Sequence, residues 1–550
     1  MLVIGSQKSV LRSRPLRRLV STISLNIRPS SPLFFVFPLA VIFALLVGAG
    51  PARGSSPEKP NPGPGKPNSG SNDPNAGAPH LSRVDNDLVD DISRRAFRYF
   101  WEQADPHTGL VLDRARADGR AEDNPTSNNV ATIAATGFGL TALAIAADHR
   151  WISPELARQR VLTTLRFFAY RAPEVHGWFY HFLDASTGER RWKSEVSTID
   201  TALLLAGVLT VREAFSDDAE IVRLATLIYN RADFPWMLDA GRMVLSHGWK
   251  PETGFLRFRW DTYSELMILY VLAIGSPTHP ISPATWYAWR LPVVDGQGYA
   301  YIGGGPLFIQ QYSQAWVDLR GRGAPNAPPV DHFVPRVDYF ANSVAATRAQ
   351  RAFSADLSRQ FPGYSANIWG ITASDSTKGY VAWGASPKDR SIDGTVVPSA
   401  AAGSLMFAPD ICIPALRTML VRYGKKIYGR YGFVDAFNPS TQWVSRDVIG
   451  IDLGITLLSA ENLRTGSVWS WFMSNPEAER ALDLVGLRRE SPLPLPQMSK
   501  TNRRNAGTKT RRVSFQVTAT NEIVISHDVD IPASSFEFRI PLPLPALQSR

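Results

Sequence analysis

Apolar residues recur with a period near 3.6 in eleven stretches between residues 81 and 487: 88–104, 130–148, 154–171, 198–215, 219–232, 264–274, 306–320, 336–360, 398–423, 448–464 and 476–485. Strand-like alternation is almost absent there, so the pattern predicts an all-α domain. Some of the predicted helices, Ala131 to Ala147 and Thr201 to Val211, are small and apolar nearly all round, whereas Pro154 to Arg171 and Asp217 to Arg231 carry Arg and Glu on one face. Inner helices alternating with outer ones account for both kinds. Three similar turns punctuate the pattern, Asp105-Pro-His-Thr-Gly109, Asp184-Ala-Ser-Thr-Gly188 and Lys250-Pro-Glu-Thr-Gly254, and Pro439-Ser-Thr441 begins a fourth. Each is followed by extended aromatic or charged residues and then an apolar helix. Repeats of this kind predict a closed ring of helical hairpins, and the helix count is close to the twelve of an (α/α)6 toroid.

Composition changes the picture mainly at the ends. The 550 residues are 44% hydrophobic and 20% charged, enough for a substantial core. The net charge of +10 sits in the tails: residues 1–50 carry +6 and residues 488–512 carry +7, while 81–487 carry −2. No nucleic-acid partner is therefore predicted for the core. Basic residues from Lys8 to Arg28 precede an uncharged apolar run over 32–50, which predicts a signal peptide or membrane anchor over 1–52 and a periplasmic or secreted location for the rest of the chain. If the run is not cleaved, residues 32–50 anchor the chain in the inner membrane. A Pro-, Gly- and Ser-rich disordered linker is expected over 53–84, the helical domain over 85–487, and a basic linker with one short β-hairpin, from 513–517 and 522–526, over 488–550. The single cysteine, Cys412, excludes an intramolecular disulfide and a Cys-based zinc cluster.

Three acids stand where the repeated units enter their helices: Asp200, Glu265 and Asp452. In a ring of hairpins these loops converge on one mouth. Paired carboxylates flanked by aromatic rings are what glycoside hydrolysis requires, one to protonate the leaving oxygen and one to activate water or attack the sugar. The rings are present in Trp192, Trp260, Tyr263, Tyr312, Trp316, Trp369, Tyr380, Trp383 and Trp443, candidates to stack on sugar faces. Core packing explains Trp316 equally well. Ser197 to Asp200 and Thr262 to Glu265 also match the capping-box spacing, in which the acid only closes a helix end. Asp452 has Ile449 at that offset and lies in the apolar run Val448 to Ile455, where a carboxylate needs a partner or a task. His176 and His181 lack the spacing of a zinc pair and read as polar or packing residues, and Asp375 and Asp393 either line the cavity or initiate turns, with turns favoured. Gly303-Gly-Gly305 has no Lys-Ser/Thr to complete a phosphate loop. No metal site and no cofactor is predicted.

Five ordered motifs carry a resemblance: Glu195-Val-Ser-Thr-Ile-Asp200 running on to Gly207, Tyr263-Ser-Glu265 with Gly275-Ser-Pro-Thr-His-Pro280, Gln311-Tyr-Ser-Gln-Ala-Trp-Val-Asp-Leu-Arg320, Trp369-Gly-Ile371, and Ala460-Glu-Asn-Leu-Arg-Thr-Gly466. Over about residues 85–487 the chain resembles the bacterial glycoamylase-like domain, a group that includes the endo-β-1,2-glucanases of glycoside hydrolase family 144. The resemblance implies an (α/α)6 toroid, export, and inverting hydrolysis of β-1,2-glucan without a metal. It also implies Glu265 as general acid and Asp452 as base. Asp200 matches a glutamate of the characterised enzymes and Ser197 replaces another acid, so this chain has less polar reach at that point. Three rivals share the scaffold: a non-catalytic glycan-binding envelope protein, a β-glucan transglycosylase or phosphorylase, and a toroidal cyclase or prenyl-chain enzyme, for which no DDxxD-like run is present.

Overall fold

The computed structural model describes residues 81–120, 126–323, 337–384 and 391–489, and the backbone of 513–517 and 523–527. The signal or anchor expected over 1–52, most of the linker over 53–84 and the basic stretch 490–512 lie outside the described residues. No helix among those described is long and apolar enough to cross a membrane. The chain falls into two units, Met1–Glu490 and Ser491–Arg550. In the second, Val513–Val517 pairs antiparallel with Ile523–His527, the hairpin expected from the β-branched run.

Among the described residues, the first unit holds fourteen α-helices: α1 (Arg83–Glu102), α2 (Ile133–Asp148), α3 (Pro154–Tyr170), α4 (Thr198–Ala214), α5 (Ala219–Asn230), α6 (Phe234–Met237), α7 (Met267–Gly275), α8 (Tyr312–Trp316), α9 (Tyr339–Asp356), α10 (Pro398–Ala402), α11 (Pro409–Ile427), α12 (Gly450–Arg464), α13 (Ser467–Met473) and α14 (Pro476–Leu484). Helices that are apolar all round are buried all round: every residue of α7 is buried, and α2 is buried from Ile133 to Ala146. The amphipathic α1, α3 and α5 bury one face each, with Ser82, Ser153 and Asp218 capping their first turns. α2 packs between α4 and α12, and α3 and α1 lie against it; α7 packs on α4, α8 and α14; α12 meets α1, α8 and α10; and α10 meets α11. α13 contacts α4, α8 and α12.

The periodic pattern located most of these helices and misjudged four places, one of them the four-residue α6, which lies outside every expected stretch. The expected helix over 306–320 is a 3-10 turn, Leu307–Gln310, followed by the five-residue α8, which stops where Val317 turns extended. The stretch 398–423 divides into α10 and α11, because Pro409 opens a new helix after Ala408 leaves helical geometry. α13 was not foreseen: it is seven residues long, too short to show a period. The loops also hold short antiparallel ladders that two to four residues of alternation cannot reveal.

Those ladders tie the helix starts together. Val130–Thr132, entering α2, pairs with Phe182–Asp184; Val196–Ser197, entering α4, pairs with Gly248–Lys250; Asp447–Ile449, entering α12, pairs with Arg114–Arg116. The repeated turns are real structures. The Asp105 carboxylate accepts from the amides of His107 and Thr108, Asp184 from Ser186 and Thr187, and Asn438 from Ser440 and Thr441. Each turn closes in the left-handed region, at Gly109 (φ 74°), Gly188 (φ 78°) and, in the fourth unit, Gln442 (φ 61°).

Candidate active site

Glu265 does not cap a helix. α7 starts two residues later at Met267 with no side-chain cap, and the Thr262 hydroxyl donates to Asp261 instead. The backbone around Glu265 is pinned from α8: the Ser313 hydroxyl donates to the Glu265 carbonyl at 2.5 Å and accepts the Ile268 amide at 2.9 Å. The carboxyl is left in an apolar setting, 5% exposed. Burial pushes it up to about 7, and the charge of Asp200 pushes the same way.

Asp200 occupies the first turn of α4. Ser197 caps that helix and its hydroxyl donates to Asp200 Oδ2 at 2.5 Å, so half of the capping reading holds. The other Asp200 oxygen is 3.5 Å from His181 Nε2, while His181 Nδ1 is 3.1 Å from Glu195 Oε1. Burial raises Asp200; it disfavours the His181 cation, yet Asp200 and Glu195 outweigh it and raise the imidazole. The imidazolium and Lys250, 3.8 Å from Glu195, hold Glu195 down to about 2 despite its burial. His181 is therefore the centre of a charged cluster, which corrects its reading as a packing residue.

Asp452 lies in the first turn of α12, 8% exposed, where Gly450 is fixed by a 2.8 Å bond from its amide to the Asp113 carbonyl. Burial raises its pKa to about 7, and the neighbouring Asp435 carboxyl works against that rise. Asp435 is raised further, by burial and by the charges of Asp375 and Asp452. Arg114 bridges this group, its Nε 3.2 Å from Asp113 Oδ2 and its Nη1 3.2 Å from Asp375 Oδ1. Asp375 thus holds an ion pair rather than merely starting a turn. Asp435 was missed, although it sits in the apolar run Gly432-Phe-Val-Asp-Ala-Phe437, the same signal that exposed Asp452.

One phenol connects the two halves. Burial drives the Tyr312 hydroxyl upward, and the charges of Asp452, Glu265 and Asp200 all bear on it, together with that of Tyr380. The charges of the three acids singled out by sequence therefore all reach one phenol at the head of α8. Tyr380 is 39% exposed, and burial together with the charges of Asp452 and Asp435 drives its hydroxyl upward. Trp192 is 37% exposed, held by its indole N–H to the Thr126 carbonyl, and Trp443 is half-buried in the ladder with Asn438. These three offer ring surface to a ligand.

The other aromatic candidates face inward. Trp316 and Trp369 are fully buried, Trp316 against Phe138 with its N–H on Thr141, so neither presents a face to a sugar. Tyr263 lies parallel to Tyr339 and donates to Gln310; Trp260 stacks on His247 at 3.9 Å and donates to Thr198; Trp383 donates to Ser374. All three are at least nine-tenths buried and brace the loops rather than line the opening. Among the described residues, Asp148, His149 and Glu461 have ligand atoms within 4.8 Å of one another, at the far ends of α2 and α12. There His149 pairs with Glu461 at 2.8 Å and the Thr465 hydroxyl takes the other Glu461 oxygen, a closed ion pair away from the acids.

Residues 257–476, which span Glu265 to Asp452, match the family model Glycoamylase, described as “Putative glucoamylase”. A curated relative from Parabacteroides distasonis, an exo β-1,2-glucooligosaccharide sophorohydrolase acting at the non-reducing end, is 27% identical over 440 residues, 73% of this chain. The match spans 58% of that relative's length. A solved endo-β-1,2-glucanase from Chitinophaga pinensis, in complex with sophorotriose and glucose, superposes with a TM-score of 0.67 at 28% identity, covering 74% of this chain and 99% of that one. A Bacteroides caccae structure described as a “putative glucoamylase” gives the same TM-score at 29% identity, over 74% of this chain and 100% of its own. Over residues 257–476 the chain thus matches the glycoamylase family model, and over about three quarters of its length it is similar to β-1,2-glucan hydrolases.

Proposed function

We propose that this chain is an exported glycoside hydrolase that cleaves β-1,2-linked glucan with inversion, in the mouth of an (α/α)6 toroid. In this reading α2, α4, α7, α8, α10 and α12 form the inner ring and their starts surround the substrate. Relatives that act on β-1,2-glucans support the substrate class, and the basic-then-apolar N-terminus supports a periplasmic or secreted location.

The observation that carries the proposal is Glu265, a buried carboxyl held near 7 in the same neighbourhood as Asp452. A general acid must keep its proton at working pH, and desolvation supplies that. Glu265 donates to the glycosidic oxygen as the bond breaks, while ionised Asp452 takes a proton from the attacking water, directly or through a sugar hydroxyl. Water arriving opposite the leaving group inverts the anomeric centre. Tyr312 and Tyr380 donate to sugar hydroxyls from between the two acids, and Trp192 and Trp443 offer stacking surface at the rim.

The test is incubation of the purified domain with linear β-1,2-, β-1,3- and β-1,4-glucans, following reducing ends and the anomer first released. Expected is cleavage of the β-1,2 polymer to α-anomeric products, with Glu265→Gln slowing turnover by roughly 10²–10⁴-fold while still binding glucan. Hydrolysis unaltered in that variant removes the assignment. Product length distinguishes release of disaccharide from chain ends from internal cleavage.

A further inference from the structure

We propose that Asp435 works as a neutral carboxylic acid whose proton is donated to Asp452, a positioning residue that keeps Asp452 ionised and aimed; the inference rests on Asp452 being the base. Asp435 and Asp452 are both buried and border one cavity. Asp435 Oδ2 is fixed by the Asp375 amide at 2.7 Å, and its own amide donates to the Asp447 carbonyl at 3.0 Å. Oδ1 is buried and receives no hydrogen bond, and the cavity that Asp435 borders is bordered by Asp452 as well. Two carboxylates in contact repel, but one carboxylic acid and one carboxylate share a strong hydrogen bond.

Charge accounting requires a proton in this group. The groups facing Asp435 are Asp452 from α12, Asp375 and the Tyr380 hydroxyl from the ladder Ala373–Ala382, and Arg114 from the strand paired with Asp447–Ile449. Arg114 is the cation that bears on the group, and it already serves Asp113 and Asp375. A cavity bordered by Ile92, Ala96, Ser399, Phe433, Asp435 and Asp452 adjoins the pair and is mostly apolar, so it offers no second cation. Arg114, even with the His181 cation acting on Asp113 from outside the group, falls short of four carboxylates so far from water.

The proton belongs on Asp435 because the two sites are unlike. Asp452 is the third residue of a fifteen-residue helix, at the positive end of its dipole, and the unpartnered Ser399 hydroxyl lines the same cavity. Asp435 lies on a loop, next to the Asp375 charge. Both effects leave Asp452 the anion and Asp435 the acid.

Asn is the mimic of a protonated Asp, so Asp435→Asn and Asp435→Ala separate the possibilities. Expected is that Asp435→Asn keeps kcat within about threefold of wild type and the acidic limb of its pH profile within about half a unit. Asp435→Ala, with no donor, moves that limb up by about a unit or more and lowers kcat about tenfold or more. Loss of turnover in Asp435→Asn as deep as in Asp452→Asn, or identical limbs in all three proteins, overturns the proposal. A readout independent of turnover is infrared difference spectroscopy of wild type against Asp435→Asn at pH 7. A C=O stretch of a protonated carboxylic acid present only in the wild type is expected, and its absence overturns the inference even if no glucan is cleaved. If Asp435→Ala does not fold, the Asn variant and the spectrum decide.

Discussion

Gly207 of α4 lies against Gly137 of α2 so closely that a methyl group on Gly207 would come 2.1 Å from the Gly137 carbonyl oxygen. The approach is mutual, since a methyl on Gly137 would come 2.3 Å from the Leu203 carbonyl oxygen. Two backbones in contact set the spacing of the helices that begin at Thr132 and Ser197, and so the place of Asp200. Gly207→Ala should cost about 1–3 kcal/mol in urea unfolding, although alanine is the better helix former. A variant as stable as the wild type would show that the helices can part freely.

The raised Glu265 fixes the direction of the pH response. A general acid held near 7 is protonated and competent below that pH and empties above it. Activity on glucan should therefore fall through an alkaline limb near pH 7, and no such limb should persist in the residual activity of Glu265→Gln. A wild-type profile flat to pH 9 contradicts the buried acid.

His181 should matter to stability in a bounded window. Replacing it by Phe leaves Glu195 and Asp200 buried without their shared cation, a loss of about 3–5 kcal/mol at pH 5–6. The sign comes from the two shifts. The His181 contribution is complete below the imidazole's ordinary 6.5 and is lost as pH rises through its raised folded-state value. The Glu195 contribution is complete above 4.5 and is lost as pH falls towards about 2. Chemical denaturation across pH 2–9 should show the difference between the two proteins largest in between.

Trp316 and Tyr380 should separate packing from binding. Trp316→Ala removes a fully buried ring and should cost about 3–5 kcal/mol of stability, with little change in KM in the fraction that folds. Tyr380→Ala, at a ring 39% exposed above Asp452, should raise KM several-fold and leave unfolding almost unmoved. The reverse result would place the sugar surface elsewhere.

Asp452 was legible because a charge in an apolar run has no local explanation, and Glu265 because the repeats placed it at a helix entrance. Asp435 carries the same mark as Asp452 and was passed over because its segment has no helical period. His181 could not be read at all: its partners stand 14 and 19 residues along the chain, a separation that no local pattern connects. Trp316 and Tyr380 look alike as aromatic residues near helix starts, and only packing sends one inward and leaves the other at the surface.

By itself the sequence determined what short-range chemistry can determine: which segments are helical, which helices are greasy enough to be enclosed, where the turns recur, and which acids stand at helix entrances. Burial and partnership were decided only by the tertiary structure. Whether a carboxyl or an imidazole holds its proton depends on the charges and solvent within a few ångströms, and for Glu265, Asp435 and His181 those neighbours arrive from other parts of the chain once the helices have packed.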